Sequence, residues 1–348
     1  MMHLVPFISL VGFAAAKLLS SAVDYNNLTV ALVRAPPANY PYPPPSQDWK
    51  GLKHDLNASV ELGIQYIEQA ATEGADVVAF PELWFPGYPT GVLEGNISVG
   101  WYADQSLRVN STQWNRLVGA ARQNQVWVAL GFSLREGDYI YMAQALIDSE
   151  GQVIQVRRKL RPSGGERTMF SDGTVDELKV LQTPFGRLGL LECWEHMHPP
   201  MTFAVQAQNE NLHIAAFPWT PDLGVSTTLE STENSMAGAR YYAITGQTWT
   251  FMPAVGTAAV FSPNGTVAAQ VQATEDYPGR PILYHSVNTT DFAGTPAYDV
   301  NGEFSWSQMR QIGEAYPEYI PHVVGNFTPR RLNSVAEMRE TGPIPLNY

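Results

Sequence analysis

Three short stretches hold residues whose types suit nucleophilic chemistry. Residues 188–199 read LGLLECWEHMHP and contain the sole cysteine of the chain, Cys193. Residues 80–89 read FPELWFPGYP and set Glu82 beside Phe80, Trp84, Phe85 and Tyr88. Residues 157–173 read RRKLRPSGGERTMFSDG and carry Lys159 and Glu166. A thiolate is a strong nucleophile, and a carboxylate within reach can take the thiol proton. An aromatic box desolvates a carboxyl and raises its pKa, which suits a base or acid working near neutral pH. A lysine pointing inward beside Cys193 would favour the thiolate and lower the thiol pKa. Trp194, Trp84 and Tyr88 are candidate walls of a substrate pocket. Each residue also has an ordinary reading. A free cysteine is commonly a small buried hydrophobe, a single glutamate a cap or salt-bridge partner, a lysine at a strand end a solvated charge, and a tryptophan core packing.

The elements that must position these residues follow from periodicity. Residues 28–33 (LTVALV) and 76–80 (DVVAF) read as short buried strands. Between them, apolar residues recur at helical spacing over 48–72, after a proline-rich loop at 36–45. Strand, helix, strand is the βαβ unit of an α/β fold. A helix is expected over 113–125, strands over 126–132, 139–147 and 153–160, and a loop through Gly164 and Gly165. Residues 188–191 form a strand that delivers Cys193 at its end, as nucleophiles are presented on strand-to-helix turns. Beyond it the pattern predicts helices over 201–209 and 231–245 and strands over 212–217, 248–252, 258–261 and 281–287. Residues 291–348 are polar, proline-rich and weakly periodic. His196 and His198 have no third ligand in view, so no metal is expected.

Composition narrows the class. A net charge of −12 leaves no broad basic surface for nucleic acid and disfavours anionic membranes. Residues 4–16 form an apolar run closed by Lys17, with Ser20, Ser21 and Ala22 behind it. That run is too short to span a bilayer and matches a secretory signal peptide over residues 1–22. Asn-x-Ser/Thr sequons stand at Asn27, Asn57, Asn96, Asn110, Asn264, Asn288 and Asn326. Roughly two are expected by chance, so the excess points to glycosylated surface loops of a secreted protein. One cysteine forms no internal disulfide, and a core this large needs none. A lone thiol kept in an oxidising compartment points to chemistry.

Together, the blocks around Glu82, around Lys159 and Glu166, and around Cys193 resemble the three signature blocks of the nitrilase superfamily, in order and spacing. The resemblance runs over residues 28–287. The Cys-Trp-Glu run and GFSLREGDYIYMAQALI at 131–147 resemble the nitrile-hydrolysing branch and its fungal cyanide-hydratase relatives. The resemblance implies an αββα sandwich that dimerises into αββα-αββα and can extend into spiral homo-oligomers. It implies a triad of Glu82, Lys159 and Cys193 with Glu166 as a second glutamate, and no cofactor. The expected division is a signal peptide at 1–22, a carbon-nitrogen hydrolase domain at 23–290, and a tail at 291–348 making inter-subunit contacts. The implied reaction takes a small-molecule nitrile to a carboxylic acid and ammonia through a thioimidate and an acyl-thioester. A hydratase that stops at the amide, an amidase, and a non-catalytic secreted scaffold that forms filaments remain open.

Overall fold

The computed structural model describes residues 27–40, 54–93, 95, 97–220, 231–275, 277, 279–289, 310–311, 314–315 and 330–346. The expected signal peptide and the sequons at Asn96 and Asn326 lie outside these residues.

Two mixed six-stranded sheets carry the fold. The first contains β1 (Leu28–Val33), β2 (Val77–Ala79), β3 (Trp127–Glu136), β4 (Tyr139–Ile147) and β5 (Val153–Arg158). The second contains β6 (Leu181–Thr183), β7 (Gly186–Glu192) and β8 (Leu212–Ala216); β9 (Trp219–Thr220) lies outside both. Next come β10 (Trp249–Met252) in the second sheet, β11 (Val255–Gly256) paired with β9, and β12 (Ala258–Phe261) and β13 (Val267–Val271), also in the second sheet. The last strand, β14 (Ile282–Val287), returns to pair antiparallel with β1 at the edge of the first sheet. Helices α1 (Leu56–Thr72), α2 (Thr90–Leu93), α3 (Val99–Asp104), α4 (Thr112–Asn124), α5 (Pro199–Gln206), α6 (Thr232–Gly246) and α7 (Val335–Thr341) complete the elements used below.

Strand alternation sorts the core into layers. Leu28, Val30 and Leu32 of β1 meet Leu188 and Leu190 of β7 and Leu212 and Ile214 of β8 between the sheets. Ala31 and Val33 point the other way, into a layer with Val60 and Ile67 of α1 and Trp114 and Leu117 of α4. On the far side, Ala215 of β8 and Met252 of β10 pack on Ala239 and Ala243 of α6. The result is the expected αββα sandwich.

Most boundaries agree with the periodicity, and the differences have local causes. Within the described residues α1 starts at Leu56, because the Asp55 side chain caps it by accepting from the Ala58 amide at 3.0 Å. β3 runs on to Glu136 because Gly137, at φ 55°, closes a two-residue turn into β4. β5 stops at Arg158, which leaves Lys159 just beyond the strand. Helices α2, α3 and α7 and strand β6 are too short to stand out as periodic patterns, and β13 (VAAQV) has two exposed residues and no apolar-polar alternation to mark it. Within the tail, Val335 and Met338 of α7 pack against Tyr102, Ile140 and Met142 of the same chain.

Candidate active site

Glu82, Lys159 and Cys193 each follow the C-terminal end of a strand: β2, β5 and β7. β2 and β3 are parallel, and two antiparallel steps through β4 restore that direction in β5. Glu82 and Lys159 therefore leave the first sheet at one end. The Glu82 amide donates to the Phe217 carbonyl just past β8 at 3.2 Å, which ties that end to the second sheet. β3 passes directly beneath. A Cβ built on Gly131 would lie 2.1 Å from the Pro81 carbonyl oxygen, so only glycine allows this approach.

The three charged groups meet. Lys159 Nζ donates to Glu82 Oε1 at 2.8 Å and to Glu166 Oε2 at 3.1 Å. Glu166 Oε2 also accepts from the Ser163 amide at 2.6 Å, and its Oε1 accepts from the Tyr88 hydroxyl at 2.7 Å. Glu82 Oε2 has no hydrogen-bond partner among the described residues. Burial pushes the Glu82 carboxyl up to about 8, against the pull of the Lys159 ammonium and with the push of Glu166. Burial disfavours the Lys159 charge, but Glu166 and Glu82 more than offset it, so the ammonium is held charged.

Cys193 opens a 3₁₀ turn, Cys193–Met197, directly after β7, with its backbone in the left-handed region at φ 44°. Such a conformation in a non-glycine residue marks a position held by its surroundings. The expectation of a lowered thiol pKa is corrected here. Burial holds the thiol well above its ordinary range, and Glu82 adds to that; Lys159 pulls the other way without prevailing. Burial outweighs the pull of the ammonium on the sulfur, and Glu166 pushes the same way as Glu82. The arrangement suits proton transfer to Glu82 as the sulfur attacks, without a standing thiolate.

Cys193 and Glu166 line a cavity of ≈ 410 Å³ with Tyr88, Trp194, Phe217 and Trp219. Tyr88 and Trp194 thus stand where a pocket wall was expected. Trp84 does not. It is 1% exposed, packs against Phe80 and Phe85, and donates its indole N–H to the Ala35 carbonyl at 2.9 Å. Leu83, at φ 52°, turns the chain and sends Trp84 into the core facing the helices.

Periodicity and motif reading missed three features of this site. Trp219 stacks edge-on to Tyr88, with ring centroids 4.1 Å apart; its place just beyond the strand expected over 212–217 was the available signal. Glu195 pairs with Arg157 at 2.6 Å, and also accepts from the Leu160 amide at 2.9 Å and the Glu192 amide at 2.8 Å. It clamps the loop carrying Lys159 to the turn carrying Cys193. The carboxyl of Glu192, directly before the thiol, is fully buried, and burial raises its pKa well above the ordinary range. His196 and His198 diverge: His196 is buried and His198 exposed.

A family profile described as carbon-nitrogen hydrolase matches residues 29–293. A nitrilase from Pseudomonas syringae pv. syringae (strain B728a) is 41% identical over 204 residues, 57% of this chain and 61% of that one. An arylacetonitrilase from Aspergillus kawachii is 31% identical over 290 residues, 74% of this chain and 87% of that one. The first of these matches thus spans less than two thirds of the relative's own length. An amidase of the nitrilase superfamily from Nesterenkonia AN1 superposes with a TM-score of 0.59, at 18% identity, over 78% of this chain and 95% of that one. At that identity the likeness speaks to the fold.

Proposed function

Because the chain belongs to the carbon-nitrogen hydrolase family, we propose that it is a nitrilase, converting a nitrile and two waters into a carboxylic acid and ammonia. The observation that carries this reading is the Lys159 ammonium held between Glu82 and Glu166, with Glu166 lining the same cavity as the lone cysteine.

Glu82 takes the thiol proton as Cys193 attacks the nitrile carbon and passes it to the nitrogen, giving a neutral thioimidate and leaving Glu82 ionised again. The developing negative charge on nitrogen is met by Lys159, which has three N–H donors and spends two on carboxylates. Water adds to the carbon, with Glu82 as base and then as acid. The tetrahedral intermediate loses ammonia to leave an acyl-thioester, and a second water releases the acid and restores the thiol. Expulsion of the sulfur in place of ammonia would release the amide instead. Glu166 orients Lys159. The aromatic wall of Tyr88, Trp194 and Trp219 suits a nitrile with an apolar or aromatic substituent, in keeping with the relative named arylacetonitrilase.

The test is a product assay over cyanide, an aliphatic nitrile, benzonitrile and phenylacetonitrile, measuring acid, amide and ammonia. Acid with equimolar ammonia is expected. Ammonia from amides and none from any nitrile would move the protein to the amidases.

The protein is also read as secreted and glycosylated. Asn27, Asn57, Asn110, Asn264 and Asn288, the described sequon asparagines, are all exposed. A mass decrease on endoglycosidase treatment of the secreted protein is expected. Self-association as a homodimer or longer spiral is expected by light scattering, with Tyr241 and Ile244 on α6, 59% and 46% exposed, as apolar contact points.

A further inference from the structure

Away from the cavity, a line of buried side chains ends on the nucleophile's own peptide. His196 Nδ1 lies 2.7 Å from the Cys193 carbonyl oxygen. His196 Nε2 lies 2.9 Å from His213 Nε2, and His213 Nδ1 lies 2.9 Å from Glu210 Oε2. The Tyr242 hydroxyl donates to Glu210 Oε1, and its ring packs on His213 with centroids 3.9 Å apart. All four side chains are buried. They come from the 3₁₀ turn, from β8, from the residues before β8 and from α6. None has a part in the mechanism above.

The end of the line dictates its direction. A carbonyl oxygen only accepts, so His196 donates from Nδ1. Burial, with His213 beside it, drives the His196 ring down to about 3, so it is neutral and accepts at Nε2. His213 must then donate from Nε2. Burial and the Arg157 guanidinium hold His213 well below its ordinary value against Glu195, so it too is neutral and accepts at Nδ1. The remaining donor is Glu210, as a carboxylic acid. Burial pushes that carboxyl up to about 8, with the Tyr242 hydrogen bond pulling the other way. The strands leave room for this contact. Gly189 of β7 sits beside His213 in register, and a Cβ on it would lie 1.8 Å from Glu210 Oε2.

We propose that His196, His213, Glu210 and Tyr242 are positioning residues that hold the Cys193 peptide in its left-handed conformation through a proton-ordered chain ending in a neutral Glu210. The proposal rests on Cys193 being the nucleophile. A left-handed non-glycine residue relaxes unless its surroundings restrain it, and the His196 donor restrains its carbonyl. Loss of the Glu210 proton would require an N–H from His213 Nδ1. Each tautomer would then invert, and the His196 Nδ1 lone pair would face the Cys193 carbonyl. The protonation state of Glu210 is thus read at the nucleophile.

The first test is nitrogen NMR of the whole wild-type protein labelled with ¹⁵N-histidine at neutral pH. His196 is expected as the Nδ1–H tautomer and His213 as the Nε2–H tautomer; a doubly protonated His213 or an Nε2–H His196 would overturn the proposal. The second test uses variants. Glu210→Leu is expected to lower kcat about tenfold or more while KM stays within about threefold. Glu210→Gln, whose amide donates to His213 and accepts from Tyr242, should restore most of that turnover. Iodoacetamide alkylation of Cys193 should slow in Glu210→Leu and recover in Glu210→Gln. Alkylation needs no nitrile, so it reads the chain whether or not the substrate assignment holds. Unchanged alkylation in a folded Glu210→Leu, or no rescue by a folded Glu210→Gln, would also overturn it.

Discussion

Lys159 Nζ donates to Glu82 Oε1 at 2.8 Å, and neither side chain reaches solvent. Removing the ammonium leaves the Glu82 and Glu166 carboxyls without the cation they share in a low-dielectric interior. Lys159→Met is therefore expected to lose about 3–5 kcal/mol of stability as well as turnover. Urea unfolding checks it. A variant as stable as the parent would show that the pair adds nothing to the fold. Lys159→Arg should not restore turnover, because a planar fork cannot replace a compact ammonium between two carboxylates.

Glu82 acts as a base only when ionised, and its carboxyl sits at about 8 where an ordinary one sits at 4.5. Below about 8 the proton-bound, inactive form is in excess, so kcat/KM should rise with pH through that region. Glu166→Gln removes a negative neighbour that raises Glu82, and should move the rising limb to lower pH. A profile flat between pH 5 and 9 would take Glu82 out of the proton-transfer role.

Cys193→Ala and Cys193→Gly should both lose ammonia release. Their stabilities should run against the usual order. Glycine is normally the less stable of the two, but at φ 44° it relieves a left-handed strain of about 1–2 kcal/mol. The glycine variant is expected to be more stable by about 0.5–1 kcal/mol. Thermal unfolding of the two proteins settles the order, and an alanine variant of higher Tm would show that the turn is not strained.

Arg157 and Glu195 form the buried clamp between the loop carrying Lys159 and the turn carrying Cys193, at 2.6 Å. Arg157→Met and Glu195→Gln should each cost about 3–5 kcal/mol, and the double variant less than their sum. A denaturant double-mutant cycle measures this coupling. Additive losses would mean that the two side chains act independently.

Much of this site was legible in the chain because its residues fall at ends of strongly patterned strands. DVVAF, VIQVRRKL and LGLLE announce themselves as strands; Glu82 and Cys193 follow the first and third, and Lys159 lies near the end of the second. Glu166 lay in a glycine-marked loop that the resemblance assigned. The rest depends on contacts between residues distant in sequence. Arg157 and Glu195 are separated by 38 positions, and nothing local says that their charges cancel indoors. Trp84 shows the opposite failure. It stands two residues from Glu82, yet the left-handed turn at Leu83 sends it to the far side of the sheet. Adjacency in sequence placed it on the wall; a single backbone angle removed it. His213 reads as one polar interruption in an apolar strand, and only Gly189 opposite shows that space was reserved for its partner.

The chain carries a single sulfhydryl, and that group forms part of the cavity wall. A thiol-directed label therefore has one destination, and the mass of one adduct per chain counts competent molecules directly. Reductants added to keep that group in its reduced state have no scaffold cross-link to attack, so inactivation by air and rescue by thiols would report on the reaction centre alone.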